Sequence, residues 1–259
     1  MTPRLPSLRT PPILFAHRGA RAHAPENTLE AFTLGLRLGA TGLESDVWLT
    51  ADGQAVLDHD GLVGGTFRRK SLRTVDRDAL PDHIPTLAEL YATCGSAYQL
   101  SLDVKDDEAI DEVLRTARQA GAVERLWLCH PEADVLAGWR DRSGAARLVH
   151  STRLAAMEGG PERHAARLRS TGVDAVNLHH SEWSGGTSTL FHRFGRLTLG
   201  WDAQHVRVIA GLLDLGVDGV FSDHVDRLVE AAEAMGSGAP DGGGAHGTAG
   251  AGSPDRPDA

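Results

Sequence analysis

Three acidic residues and a lysine stand at intervals of two in two short segments of the sequence. Glu44 and Asp46 belong to "GLESD", and Asp103 and Lys105 belong to "LDVK". Because the side chains of a β-strand alternate between its two faces, residues two apart share a face. Carboxylates confined together repel one another when ionised, and a divalent cation removes that repulsion. The three acids therefore predict an all-oxygen site for one ion, Mg²⁺ or Ca²⁺ rather than zinc.

Two histidines and an arginine accompany these acids. His17 and Arg18 directly follow the apolar run "ILFA", and His59 follows "AVLD". A histidine changes charge near neutral pH, so it can act as a general base or a general acid. Arg18 can form a two-pronged hydrogen bond with a phosphate, and Lys105 can add a positive charge. The set predicts acid–base chemistry on a phosphate ester beside a metal; a plain salt-bridge network among the acids, Lys105 and Arg18 is the alternative.

An alternation of strand and helix patterns predicts the elements that would position these residues. Eight short apolar segments qualify as strands, and helical patterns separate most of them. Eight such units favour an α/β fold of the (β/α)8 TIM-type barrel over a doubly wound open sheet, the competing architecture. A barrel would place His17 and His59 at the rim where its strands end, the usual location of its chemistry. The predicted strands are Ile13–Ala16, Gly42–Asp46, Gln99–Val104, Leu126–Cys129, Arg147–His150, Ala175–Leu178, Leu197–Gly200 and Val217–Phe221.

Local signals refine this outline. Asp52-Gly53, between two apolar segments, predicts a β-hairpin after strand 2 that returns His59 towards Glu44 and Asp46. Asn27 with Glu30, and Thr86 with Glu89, have the spacing of a helix capping box. Apolar residues at helical spacing from Ile110 to Ala117, followed by Gly121, predict a third helix that ends at that glycine.

Composition narrows the classes of protein and partner. A single domain is expected over residues 12–235, and the Gly/Ala/Pro-rich residues 236–259 lack large apolar side chains and are expected to be disordered. The net charge of −9 without a basic stripe argues against nucleic acid as a partner. No apolar run approaches the length that spans a membrane. The isolated Cys94 and Cys129 and the absence of a signal peptide predict reduced thiols and a cytoplasmic location. The oligomeric state is left open.

The motifs together resemble those of the glycerophosphodiester phosphodiesterase family. The stretches "AHRGARAHAPENTLEAF", "LESDVWLTADGQAVLDHD", "IPTLAEL", "LDVK" and "GVDGVFSD" follow the family's order over about 210 residues. The resemblance implies a barrel related to phosphatidylinositol-specific phospholipase C and one divalent ion. It also implies a small-molecule substrate, a glycerophosphodiester hydrolysed to sn-glycerol 3-phosphate and an alcohol.

The same resemblance implies roles for particular residues. These are His17 and His59 as the catalytic pair, Glu44, Asp46 and Asp103 as metal ligands, Arg18 and Lys105 at the phosphate, Trp201 in the substrate cleft, and Glu26 as a support of the His-Arg-Gly loop. The family usually carries a glutamate where Asp103 stands, and the shorter acid reaches roughly 1.5 Å less. Two other functions stay open: a lysophospholipase D-like phosphodiesterase, and a non-catalytic barrel that binds a phosphodiester.

Overall fold

The predicted barrel is confirmed by the computed structural model, which describes residues 4–64 and 68–236. Eight parallel strands form a closed sheet in chain order, because the first strand pairs with both the second and the last. The strands of the described residues are β1 (Ile13–Ala16), β2 (Gly42–Leu49), β3 (Ala55–Leu57), β4 (Leu62–Val63), β5 (Lys70–Ser71), β6 (Gln99–Val104), β7 (Leu126–His130), β8 (Arg147–Ser151), β9 (Ala175–His179), β10 (Leu197–Trp201) and β11 (Gly219–Ser222). All but β3, β4 and β5 form the barrel wall.

Helices follow the wall strands. They are α1 (Leu29–Arg37), α2 (Leu87–Cys94), α3 (Ile110–Gln119), α4 (Ala133–Ser143), α5 (Gly160–Ser170), α6 (Gly185–Arg193), α7 (Val206–Asp214) and α8 (Val225–Gly236). Thr86 and Glu89 form the predicted capping box of α2, and the helix predicted from Ile110 is confirmed as α3. Across residues 4–64 and 68–236, no helix is both long and apolar enough to cross a membrane.

The capping box predicted at Asn27 is wrong. The N-cap of α1 is Thr28, whose hydroxyl accepts a hydrogen bond from the Ala31 N–H. Asn27 instead has a positive φ of 56° and is almost fully buried. Its Oδ1 accepts a hydrogen bond from Ser45 Oγ at 2.7 Å. Asn27 therefore ties the loop before α1 to β2, a contact between distant residues that a local capping signal does not reveal.

The predicted hairpin is confirmed as β2 and β3, which pair in antiparallel register from Val47↔Leu57 to Leu49↔Ala55. Gly53 has a φ of 78° at the turn, a conformation that glycine adopts without steric cost. The Asp58 N–H then donates to the Asp46 carbonyl at 3.1 Å. The hairpin thus returns the chain to the end of β2, one residue before His59.

Alternation along the wall strands separates two apolar cores. Odd-numbered residues on β1, such as Ile13 and Phe15, point into the barrel, whereas Leu14 and Ala16 pack against the helices. Phe15 stacks on Phe221 inside the barrel with ring centroids 4.4 Å apart. The interior core is Ile13, Phe15, Trp127, Cys129, Val149, Ala175, Leu199 and Phe221. Because these side chains fill the barrel's lower interior, the polar residues that follow them on the strands lie at its carboxyl-terminal rim.

The segment before β1 packs on the barrel through a buried aspartate. Asp218 Oδ1 accepts hydrogen bonds from Ser7 Oγ (2.6 Å) and the Arg9 N–H (2.8 Å). Asp218 Oδ2 accepts from the Thr198 N–H and from His192 Nε2, both at 2.8 Å. Burial would raise the pKa of Asp218, but the hydrogen bonds from His192, Ser7 and Thr198 outweigh burial and lower it.

We expect Asp218→Ala to lower the free energy of unfolding by about 3 kcal/mol, because these donors lose a shared buried acceptor. Urea unfolding measures the change. Since folding depresses this pKa from 3.8, the stabilisation should be present above that pH and lost as the pH falls through the folded value. The control is Asp141→Asn on the exposed face of α4, which should change stability little. Equal stability of Asp218→Ala and wild type would contradict the structural role.

The predicted domain limits, residues 12–235, stay a prediction, although the contacts of Ser7 and Arg9 place earlier residues against the barrel. The predicted disorder of residues 236–259 lies, apart from Gly236 at the end of α8, outside the described residues. Cys94 and Cys129 are both free thiols, as predicted.

Candidate active site

The His-Arg-Gly turn directly follows β1 and shapes one edge of the rim. Gly19 has a φ of 77°, and a Cβ there would lie 2.6 Å from the Ala31 carbonyl carbon. Only glycine therefore allows the turn to pack this closely against α1. The turn directs the Arg18 N–H at Glu44 Oε2, with a hydrogen bond of 2.9 Å.

The three predicted acids meet beside this turn. Asp46 and Asp103 are direct partners in the register of β2 and β6, and Glu44 lies two residues earlier on the same face. One oxygen from each of the three lies within 4.8 Å of the others. Lys105 Nζ contacts Asp46 Oδ1 at 3.0 Å and Asp103 Oδ2 at 3.2 Å. The predicted acidic cluster and its lysine are thus assembled at one place.

The electrostatics of this cluster fit a divalent cation. Burial, aided by Asp46 and Asp103, raises the pKa of Glu44 to about 7 although His17 opposes the rise. Burial also raises the pKa of Asp46, although Lys105 and Arg18 oppose it. Asp46 is only 2% exposed, and its buried Oδ2 has no hydrogen-bond partner in the described part of the chain. An orphaned carboxylate oxygen within an all-oxygen donor set is what a hard ion such as Mg²⁺ or Ca²⁺ requires.

His17 is held by an aspartate that the motif-based assignment missed. His17 Nδ1 lies 2.6 Å from Asp223 Oδ1, so the proton on that nitrogen is donated to the carboxylate. In the neutral imidazole, the lone pair is then on the other nitrogen, Nε2, which lies 3.7 Å from Glu44 Oε2. Burial would lower the pKa of His17, but Glu44 and Asp223 outweigh burial and raise it. The sequence did contain a signal for Asp223. It is the final residue of "GVDGVFSD" and directly follows β11, just as His17 directly follows β1.

The remaining predicted residues lie at different depths. Arg18 Nε is 3.6 Å from Asp46 Oδ2, and its guanidinium also pairs with Glu26 at 3.0 Å, so Glu26 contacts the turn from outside. Trp201, the last residue of β10, packs edge-on against the ring of His179, the last residue of β9. The His59 side chain is 41% exposed, and its Nδ1 pairs with Asp60 at 2.8 Å.

A cavity of about 280 Å³ opens at this rim. Five of the predicted residues line it: His17, Arg18, Glu44, Asp103 and Trp201. Asp46 and Lys105 adjoin them through the ion pairs described above, whereas His59 and Glu26 are not among its lining residues. The cavity also has a polar wall that the sequence motifs did not indicate, formed by Ser101, Ser151, Asn177 and Asp202.

The model of the glycerophosphoryl diester phosphodiesterase family matches residues 17–88, the segment that holds the His-Arg-Gly turn, Glu44, Asp46 and His59. This segment is similar to that family. The resemblance drawn from the sequence motifs is confirmed, and so is the assignment of the chain as a phosphodiesterase enzyme.

Relatives that match most of the chain support this assignment. A protein of Mycobacterium tuberculosis (strain ATCC 25618 / H37Rv) named probable glycerophosphodiester phosphodiesterase 2 is 29% identical over 83% of this chain and 89% of its own length. A glycerophosphodiester phosphodiesterase of Bacillus altitudinis is 25% identical over 86% of this chain and 98% of its own. An Oleispira antarctica phosphodiesterase, solved in complex with the product sn-glycerol-3-phosphate, shares the fold with a TM-score of 0.74 and 20% identity, covering 86% of this chain and 97% of that one.

Proposed function

We propose that this phosphodiesterase hydrolyses glycerophosphodiesters to sn-glycerol 3-phosphate and an alcohol, with one divalent ion and histidine acid–base catalysis. The observation that carries the proposal is the meeting of His17 with the acids Glu44, Asp46 and Asp103 at one cavity on the barrel rim. The product bound in the Oleispira antarctica relative supports the same substrate class.

The acids Glu44, Asp46 and Asp103 would hold the ion, and Mg²⁺ or Ca²⁺ suits their oxygens. When bound, such an ion acts as a Lewis acid that withdraws negative charge from a phosphoryl oxygen. Lys105 and Arg18, both in contact with Asp46, place two further positive charges beside the phosphate. These charges lower the energy of the crowded, negatively charged phosphorus centre in the transition state.

The proton transfers fall to the histidines. His17 Nε2 accepts the proton of the glycerol 2-hydroxyl as that oxygen attacks phosphorus. The Asp223 carboxylate on Nδ1 stabilises the imidazolium that forms, as in other His–Asp pairs. His59 donates a proton to the departing alcohol oxygen. A cyclic glycerol phosphate results, and water opens it with the two histidines in reversed roles.

His59 needs to move to reach a leaving group in the cavity. Within residues 4–64 and 68–236, its exposed ring pairs only with Asp60, an interaction that costs little to break at the surface. The hydrogen bond between Asp58 and Asp46 holds the end of the hairpin beside β2, which carries Glu44 and Asp46. In this proposal the exposed His59 side chain rotates towards the cavity while the end of the hairpin stays in place.

A product assay tests the function directly. Incubation with glycerophosphocholine and Mg²⁺ or Ca²⁺ should release choline and glycerol 3-phosphate in equal amounts, with glycerol 3-phosphate detected by a coupled dehydrogenase. Release of lysophosphatidic acid from lysophosphatidylcholine at a higher kcat/KM would favour the lysophospholipase D-like alternative. Tight binding of glycerophosphocholine without any product would favour the non-catalytic barrel.

A further inference from the structure

Asn177 lies in the cavity wall and belongs to no part of the reaction described above. On β9 it follows Ala175 at an interval of two, so it stands directly above the apolar floor of the barrel. Its side chain is almost completely buried, at 6% exposure, and lines the cavity. Among the residues that the structure describes, none donates a hydrogen bond to the buried Asn177 Oδ1. A buried acceptor without a partner destabilises the fold, so its presence in a cavity points to a ligand that donates to it.

Ser151 completes a pair with Asn177. The two residues are register partners on the neighbouring strands β8 and β9. Asn177 Nδ2 donates to Ser151 Oγ at 3.4 Å, and this orientation leaves the amide oxygen as the free group. Since Ser151 Oγ accepts this hydrogen bond, its own proton is available to donate into the cavity. The pair therefore offers one acceptor and one donor side by side, the complement of a hydroxyl group.

The pair faces the acidic cluster across the barrel. In the closed order of eight wall strands, β9 stands four places from β2, which carries Glu44 and Asp46. A substrate whose phosphate lies at the acids can extend across the cavity towards Asn177 and Ser151, which line its other wall. In a glycerophosphodiester the phosphate occupies one glycerol oxygen and the 2-hydroxyl is consumed as the nucleophile. One hydroxyl, the terminal one, is left without a role in the reaction.

We propose that Asn177 and Ser151 bind the terminal hydroxyl of the glycerol moiety and so select glycerophosphodiesters over phosphodiesters that lack it, an inference that rests on the function proposed above. The hydroxyl donates to Asn177 Oδ1 and accepts from Ser151 Oγ. The burial of Asn177 favours this half of the substrate, because an alcohol head group of variable size needs an open path to solvent. Choline, in addition, has no proton that it could donate to the Asn177 oxygen.

The test compares kcat/KM for sn-glycero-3-phosphocholine with that for an analogue in which propane-1,2-diol replaces glycerol, so that only the terminal hydroxyl is missing. Wild type should prefer the full substrate by roughly 10- to 100-fold, because the analogue leaves a buried acceptor unpaired. Asn177→Leu, similar in volume but unable to hydrogen-bond, should reduce the preference to within about threefold, chiefly through slower turnover of the full substrate. Asn177→Asp, which keeps an acceptor oxygen, should retain the preference despite a lower overall rate.

Ser101→Ala is the matched control, since Ser101 lines the same cavity from β6 and contacts Cys129 instead. It should keep the wild-type preference. A wild type that hydrolyses both substrates equally well, or an Asn177→Leu variant that still prefers the full substrate, overturns the assignment of Asn177 while leaving the hydrolytic function in place.

Calorimetry tests the hydroxyl subsite separately from the hydrolytic function. Wild-type protein should bind sn-glycerol 3-phosphate more tightly than the phosphate of propane-1,2-diol, and Asn177→Leu should remove the difference. If wild type hydrolyses neither substrate yet shows this difference, the hydroxyl subsite stands and the hydrolytic function falls. If it neither hydrolyses nor discriminates in binding, both are overturned.

Discussion

Removal of divalent cations with EDTA should reduce hydrolysis of glycerophosphocholine by roughly 100-fold or more, and added Mg²⁺, Mn²⁺ or Ca²⁺ should restore it. The reason is the clustering of Glu44, Asp46 and Asp103, whose oxygens lie within 4.8 Å of one another in a largely buried site. Asp46→Asn should raise the metal concentration needed for half-maximal rate, because it removes a charge and an orphaned buried oxygen. Rates measured against metal concentration after dialysis provide the check.

Two controls make this result specific. Asp141→Asn removes an acidic charge from the exposed face of α4 and should leave the metal dependence unchanged. Asp103→Glu restores the side-chain length usual in the family and should still support activity with the same ions. Full turnover by the chelated, dialysed enzyme would refute the assignment of a metal to this cluster.

The metal-free protein should also lose stability as the pH rises. Glu44 has a pKa of about 7 in the folded protein against 4.5 when unfolded, so its contribution is present below pH 4.5 and lost as the pH rises towards 7. Melting temperatures of the metal-free protein should therefore fall across this window. Mg²⁺ should raise the melting temperature more at pH 8 than at pH 5, because the ion requires the ionised acids.

His17→Ala and His59→Ala should each lower kcat by about 10²–10⁴-fold, the usual contribution of a positioned acid or base. Both residues lie at the rim, so the variants should fold normally. The pH–rate profile of the wild type should be bell-shaped if one histidine must be neutral and the other charged, and each variant should lose a different limb. His83→Ala, which removes an exposed histidine in the loop before α2, should behave as wild type.

Substrates with good leaving groups assign the two roles. When p-nitrophenol is the alcohol of the phosphodiester, the leaving group needs no proton as it departs. This substrate should therefore largely restore the turnover of His59→Ala, the variant that lacks the general acid. His17→Ala should not be rescued. Asp223→Asn, which disturbs the hydrogen bond on His17 Nδ1, should shift the limb of the pH profile that His17→Ala removes. Wild-type turnover in both histidine variants would favour the binding-barrel alternative.

The periodicity of the strands, which is visible in the amino-acid sequence by itself, determined much of the site. An interval of two places Glu44 with Asp46, and Asp103 with Lys105, on one face wherever a strand forms. The same local rule carries Asn177 into the barrel interior, although no sequence motif gave that residue a role. Eight strand patterns separated by helices sufficed to predict the barrel, because few other architectures accommodate that count.

Closure of the barrel decided what local rules could not. Asp223 holds His17 across 206 residues of sequence only because the last wall strand pairs with the first. Asn177 faces the acidic cluster only because β9 and β2 stand opposite one another in a ring of eight. Asn27, whose spacing indicated a helix cap, is instead buried against Ser45. The face on which a side chain lies depends only on its own strand. The residue that it faces across the barrel depends on the registers of all eight strands together, and those registers are set only when the whole chain folds.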